Sequence, residues 1–352
     1  EGVERDIRER IFPRDWFHPT YEGGADWQKA LDRVNTAAAR IARVVVHPDY
    51  RSEGFGALLV RVALEWAKER GAPEARREKH LVYTIAQMAR YHPFFEKVGF
   101  RYLFDTASGR PVLFYPLTEE AEAHLERFLR EDPYAKAHGG RLYKPRFGRV
   151  PGLPGPIRLA GVHKAYRSHL DLEGLSREVQ EALLAFGVKA RVVERAVLRG
   201  ASLEIPPGSL VVLAGASGAG KTTLLRLLLG EAPDAGEVAV PPGRRVAYIP
   251  GEREVDLGEA PILEAVYRRL KDVGAAIEVL NRVGLSDAVL YRARPHELST
   301  GQRERFRLAL LLAERPDLLL IDEFAAHLDV PTARRVALGL GKLCREAGVT
   351  LV

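Results

Sequence analysis

The 352-residue chain has a single cysteine, Cys344, and a single methionine, Met88. One cysteine excludes a disulfide within the chain, and no Cys/His grouping has the spacing of a structural metal site, so a reduced, cytoplasmic setting is expected. No run approaches the roughly 18 uninterrupted apolar residues that a membrane-crossing helix requires. The first ten residues are charged and lack the apolar centre of a secretion signal. Acidic residues are missing altogether between Pro133 and Leu170. Against these absences stand 46% hydrophobic residues, enough to build ordinary cores, and a formal net charge of +6, which suits an anionic partner without requiring one. At roughly 100–200 residues per domain the length implies two domains or three.

Three regions follow one another. Residues 1–132 alternate strand-like and helix-like runs. Segments 41–46, 81–85 and 100–104 are rich in strand formers. Segment 56–70 repeats apolar residues at helical spacing (Leu58, Leu59, Val62, Leu64, Trp66), and 94–98 reads as the end of a helix before Gly99. Thr118 is placed to cap a helix that opens with Glu119 and Glu120 and runs to Arg130. Residues 133–156 read as a basic linker punctuated by Pro151, Gly152, Pro154, Gly155 and Pro156. Residues 157–352 read as α/β, with strands at 210–214, 246–249 and 318–321. No heptad array or internal repeat interrupts them. The chain opens at Glu1 and ends at 349–352 in what reads as a strand just begun, so it is expected to be part of a longer protein.

The sharpest motif is Gly215-Ala-Ser217-Gly218-Ala-Gly220-Lys221-Thr222, which fits G-x-x-x-x-G-K-[ST] between an apolar strand and a helix. Glycines let successive backbone N–H groups curl around a phosphate, and the helix N-terminus adds positive potential. Lys221 is expected to reach the β- and γ-phosphates of ATP, the Thr222 hydroxyl to ligate Mg²⁺, and Ser217 and Thr223 to line the same loop. Downstream, Asp317-Leu-Leu-Leu-Ile-Asp322-Glu323 reads as a buried parallel strand ending in two acids. Asp322 is placed to hold the metal and Glu323 to polarise the attacking water.

Between these halves lies Leu298-Ser299-Thr-Gly301-Gln302-Arg303, which resembles the signature motif of ATP-binding cassette (ABC) ATPases. Ala326-His-Leu-Asp329 resembles the D-loop that follows it. The resemblance implies a head-to-tail homodimer with two ATP molecules between the copies, Ser299, Gly301, Gln302 and Asp329 facing the partner's nucleotide. Segment 162–166 resembles the family's opening strand, which would make Tyr166 the adenine-stacking aromatic, although a helical insertion near 173–186 separates it from a second strand at 201–206. The sequence departs from the family where Pro250-Gly251-Glu252 replaces the usual glutamine, and it ends before the switch histidine.

In the first region, Val46-His-Pro-Asp-Tyr-Arg51-Ser-Glu-Gly54-Phe55-Gly56 resembles the acetyl-CoA loop of the GNAT acetyltransferases, and Phe94-Phe95-Glu-Lys-Val-Gly99-Phe100 resembles their penultimate helix with its Gly-Phe exit. The resemblance implies acetyl-CoA held by Val46, Arg51, Gly54, Phe55 and Gly56. The position of the usual tyrosine acid is Phe95, so Tyr91 is the candidate acid, with the adjacent His92 as the alternative. The fold's usual first strands are not evident before Ile41. Together the two resemblances match a family of ABC-type ATPases fused to an acetyltransferase domain. The expected fold is therefore a GNAT-like α+β domain joined to a P-loop α/β domain.

The acid-free connector holds eight lysines and arginines interleaved with Tyr134, Tyr143, Phe147 and Tyr166, a pattern able to follow a phosphate backbone and stack bases of RNA or DNA. Three functions fit: an ATP-driven acetyltransferase acting on RNA or protein, an ATP-gated nucleic-acid-binding or regulatory protein with a silent GNAT module, and the energising subunit of a transporter.

Overall fold

Residues 8–17, 36–47, 54–69, 77–170, 172–188, 191–251 and 256–352 are described in a computed structural model. The chain divides into two units. The first is Glu1–Arg146 with Asp272–Glu278 and Ser286–Tyr291; the second is Phe147–Lys271, Val279–Leu285 and Arg292–Val352. The division falls inside the stretch read as a linker.

The first unit is built on a four-stranded sheet of β1 (Ala38–Ile41), β2 (Leu81–Ile85), β3 (Arg101–Asp105) and β4 (Pro111–Pro116), in the order β1-β2-β4-β3. β1 runs parallel to β2, and the other pairings are antiparallel. Alternation along the strands sorts side chains to two faces. Leu81, Val112 and Phe114 join Ile11, Phe12, Trp16 and Leu125 on one face. Val82 and Leu113 join Val60, Leu64, Phe95 and Phe100 on the other. Helix α1 (Phe55–Glu69) covers the second face with Val60, Leu64 and Ala67. Helix α2 (Glu119–Glu131) covers the first, and the Ala121 N–H donates to Thr118 Oγ1 at 3.3 Å, the expected cap.

Several expectations are corrected here. The strand expected at 41–46 lies at Ala38–Ile41, where its parallel ladder pairs with Leu81–Thr84 of β2. Residues 94–98 do not end an α-helix; they form one of two short 3₁₀ turns, Gln87–Arg90 and Glu96–Val98, with Pro93 between them. The linker begins as helix α3 (Pro133–His138), whose N–H at Ala135 is taken by Asp132 Oδ1 at 2.9 Å. Further along it Phe147, Val150 and Leu153 are buried.

In the second unit β5 (Ile157–Leu170) and β6 (Arg191–Ile205) form a long antiparallel hairpin, with helix α4 (Arg177–Ala185) near its tip and β7 (Ala235–Ala239) beside β5. The two short strands expected around the insertion are thus one continuous pair, because the flanks of the insertion pair with each other. The parallel sheet holds β8 (Val246–Ile249), β9 (Leu318–Ile321) and β10 (Thr350–Leu351). The strand expected at 210–214 is reduced to a bridge, Leu210↔Leu351, with the Val211 N–H donating to Leu351 O at 2.8 Å. Helices α5 (Lys221–Leu228), α6 (Ile262–Leu270), α8 (Thr300–Ala313) and α9 (Val330–Ala347) complete the second unit, and α7 (Val273–Arg282) begins in the first unit and ends in the second. The core beneath the Gly-rich loop gathers Leu225, Leu228, Leu318 and Leu320 with Ile157, Val162 and Leu198. Buried Asp317 at the foot of β9 accepts from the Gly152 and Arg245 N–H groups at 3.1 and 2.9 Å. Among the described residues no helix is long and apolar enough to cross a membrane.

Candidate functional site

The loop 215–222 follows the bridge at Leu210 and opens α5. Gly218 and Gly220 have φ of +79° and +92°, a conformation that L side chains adopt only under strain. Lys221 Nζ donates to the carbonyl oxygens of Gly215 and Ala216 at 2.8 and 2.9 Å, so its ammonium lies inside the curl of the loop. Ser217 is exposed, Thr222 half-buried, and Thr223 buried against the first turn of α5.

β9 carries buried Asp322 at its end. Its carboxylate has no ion pair or hydrogen bond among the described residues. Glu323 and Ala325 follow at φ +55° and +65°, a left-handed backbone that costs a non-glycine residue about 1–2 kcal/mol. This bend swings the Glu323 carboxylate over Gly251, where a Cβ would sit 2.9 Å from Oε2.

Ser299 is the N-cap of α8. It accepts the Gln302 N–H at 3.3 Å, and Gln302 Oε1 accepts the Ser299 N–H at 2.9 Å, a reciprocal capping box. A Cβ on Gly301 would lie 3.0 Å from Leu328 Cδ2 and 3.3 Å from His327 O, so glycine there lets the 326–329 segment press against the start of α8. Asp329 caps α9 by accepting the Thr332 N–H at 2.9 Å, and that bond holds its carboxyl below the usual range. Arg305 secures the same corner by donating to Gly301 O and Gly284 O at 3.0 and 2.8 Å. The structure thus brings 321–329 and 299–302 together. Among the described residues no hydrogen bond joins Ser299 to the loop 215–222. Tyr166, on β5, donates from its hydroxyl to Glu231 at 3.1 Å. Glu252, the residue in the place of the usual glutamine, lies outside the described residues.

In the first unit Gly54 has φ +88°, and its carbonyl accepts the Leu58 N–H at 3.1 Å, the first turn of α1. Gly56 sits where a Cβ would meet Phe94 at 2.9 Å and Val46 at 3.8 Å. Phe55 is exposed. Arg51 lies outside the described residues. Phe95 is buried between Phe94 and Phe100. Tyr91 is half-buried at the end of the first 3₁₀ turn. The His92 Nδ1 beside it is enclosed without a hydrogen bond, and burial, with a smaller contribution from Lys97, lowers this imidazole to about 4.

Of the eight cations between Pro133 and Leu170 four are paired, while Lys136, Arg141, Lys144 and Arg149 have no side-chain ion pair or hydrogen bond among the described residues. Arg146 pairs with Asp272, Arg158 with Glu204, Lys164 with Glu231 and Asp234, and Arg167 with Glu194. Phe147 is buried and the Tyr134 hydroxyl meets that of Tyr102 at 2.5 Å, so these rings are already engaged.

Comparison with known proteins agrees with this geometry. The ABC transporter family model matches residues 198–326. The phosphonates import ATP-binding protein PhnC of Thiobacillus denitrificans is 34% identical over 182 residues, 44% of this chain and 70% of its own length. The chain belongs to the ABC transporter ATPase family. Ahead of the ABC cassette, a GNAT acetyltransferase domain model matches residues 22–102. Other relatives include the aliphatic sulfonates import ATP-binding protein SsuB 3 of Rhodococcus jostii, 43% identical over 42% of this chain and 54% of its own length. The zinc import ATP-binding protein ZnuC of Ruegeria pomeroyi is 38% identical over 42% of this chain and 59% of its own length. The chain spans little more than half of these two relatives. Within the ABC cassette, sequence reasoning passed over Gly251 as a contact of Glu323; its only trace is a glycine directly after the Val246–Ile249 strand and Pro250.

Proposed function

We propose that the ABC cassette binds Mg-ATP at residues 215–223 and hydrolyses it in a head-to-tail dimer, and that the GNAT domain holds acetyl-CoA at the start of α1. The observation that carries this reading is the placement of the Lys221 ammonium inside a loop whose two left-handed glycines open an eight-residue helix. That is a cradle for phosphate, made from backbone N–H groups and one fixed cation. The buried, unpaired Asp322 carboxylate and the Thr222 hydroxyl fit a divalent cation, and Mg²⁺ held there would supply neutralising charge to the phosphate oxygens. Glu323 orients and polarises the attacking water. Ser299, Gly301, Gln302 and Asp329 are assembled in one corner with no bond to their own chain's loop, as a surface meant for a second copy's nucleotide would be. Tyr166 is the adenine-side aromatic.

For acetyl-CoA, the residues that hold it are Gly54, Phe55 and Gly56 at the start of α1, with Val46 and Arg51 from the preceding segment. Phe95 is committed to the core, which leaves Tyr91 as the acid for acetyl transfer. The functional division is residues 1–132 for acetyl-CoA, 133–156 as connector and 157–352 for ATP, in a protein of the cytoplasm.

The test is nucleotide titration and phosphate release. Lys221→Ala should lose ATP binding, and Glu323→Gln should keep binding, lose turnover and shift to a dimer on size exclusion with ATP. Wild-type protein with no ATP affinity would end the reading. For the GNAT domain, calorimetry should show acetyl-CoA binding that survives Tyr91→Phe while transfer is lost. The relatives' role in import supports a second reading, an ATPase that energises a membrane subunit; co-purification with such a subunit, and ATPase activity dependent on it, would select this alternative.

A further inference from the structure

The β5–β6 hairpin extends beyond its sheet. β7 pairs with β5 only between Arg158 and His163, whereas the β5–β6 ladder continues to Leu170↔Arg191. This extension holds β6 against the phosphate loop. A Cβ on Gly220 would lie 3.0 Å from Val197 Cγ1 and 2.9 Å from Leu198 Cδ2, and a Cβ on Gly218 would lie 2.7 Å from Arg195 Nη2. The guanidinium of Arg195 therefore hangs at the lip of the loop, above the glycine whose φ is +79°. Arg195 stands opposite Tyr166 in the ladder, beside the aromatic assigned to the adenine side.

Two cations on the facing strand β5 are already paired. Lys164 lies 3.2 Å from Glu231 and 3.5 Å from Asp234, and Arg167 lies 2.9 Å from Glu194. Arg195 is exposed and has no ion pair or hydrogen bond among the described residues. A planar guanidinium carries a fork of donors matched to two phosphate oxygens, and an arginine left uncompensated beside a phosphate cradle has a clear use for it.

We infer that Arg195 is a nucleotide-binding residue that donates to a phosphate oxygen of ATP above Gly218, adding a second cation to Lys221 and tying the hairpin to the occupied loop. The inference rests on the reading of residues 215–223 as the ATP site. Equilibrium titration of the full chain with a fluorescent ATP analogue tests it, comparing wild type with Arg195→Ala, Arg195→Lys and Lys221→Ala. Arg195→Ala should weaken ATP about tenfold or more, the scale of one charge-assisted hydrogen bond. Arg195→Lys should recover part of that loss. The nucleotide-free melting temperature should stay at the wild-type value, because the side chain is exposed. Saturating ATP should slow amide exchange over residues 194–201 in wild type, with the slowing diminished in Arg195→Ala. An Arg195→Ala affinity within twofold of wild type overturns the inference. Wild-type protein that binds no ATP overturns the nucleotide reading beneath it as well.

Discussion

Adding one methyl group at Gly251 isolates the chemical step from binding and folding. A Cβ there would lie 2.9 Å from Glu323 Oε2, 3.0 Å from Cδ and 3.2 Å from Cγ. Comfortable contact for such atoms is about 3.5 Å or more, so the carboxylate must retreat by roughly half an ångström. The atoms that must move are the end of a flexible, exposed side chain, so the fold should lose no more than about 0.5 kcal/mol. Catalysis is less forgiving. A base acts only within hydrogen-bond reach of the proton it takes, and a displacement approaching 1 Å costs up to about 10²-fold. Gly251→Ala should therefore lower kcat by about 10- to 100-fold while the ATP Kd stays within about twofold and the melting temperature holds. Steady-state phosphate release, nucleotide titration and a thermal melt on one preparation read all three. A wild-type kcat in well-folded Gly251→Ala protein would show that the carboxylate above Gly251 is not where water is activated. A fall in melting temperature matching the fall in rate would refute the claim that the methyl acts through Glu323 alone.

Ser299→Ala removes the α8 cap and should destabilise by about 1 kcal/mol, whereas Ser299→Asp, which preserves a cap acceptor, should stay close to wild type in denaturant melts yet lose ATP-dependent dimerisation by facing anionic phosphate. His92 sets an acid limb. Burial lowers its imidazole from the ordinary 6.5 to about 4, so the unfolded chain takes up a proton that the folded chain resists. Stability is full above about pH 6.5 and should fall by up to about 3 kcal/mol as the pH drops toward 4. Urea melts at pH 7 and pH 4.5 on wild type and His92→Leu check this, an equal acid loss in both counting against it. Cys344 is buried and its thiol pushed up to about 12, so a thiol reagent should label native protein only as fast as the surrounding structure opens, and immediate stoichiometric labelling would contradict that burial.

Features decided by neighbours in the chain were legible from the residues alone. Thr118, Ser299 and Asp329 are caps because a short polar side chain precedes each helix, and Gly218 and Gly220 take the left-handed backbone that the phosphate-loop pattern implies. Asp132-Pro133 carries the same kind of information, an N-cap followed by proline at the first helical position, and it opens a helix where basic composition suggested a linker. β4 had a local signal too, the Ser108-Gly109 turn between two apolar runs, closed by the Thr106 N–H donating to Arg110 O at 2.8 Å. What stayed hidden depends on pairing across distance. The place of β1 is set by its register with β2, and the length of β5 and β6 by the flanks of an insertion finding each other. Arg195 and Gly251 belong to this second class. Arg195 stands within no motif and Gly251 only in the segment where the usual glutamine is replaced, and each gains its meaning only when the hairpin or the bend after β9 delivers it to the loop or to the carboxylate. The residues proposed to bind phosphate could thus be named from spacing, while those proposed to adjust the site around them emerge only from the fold.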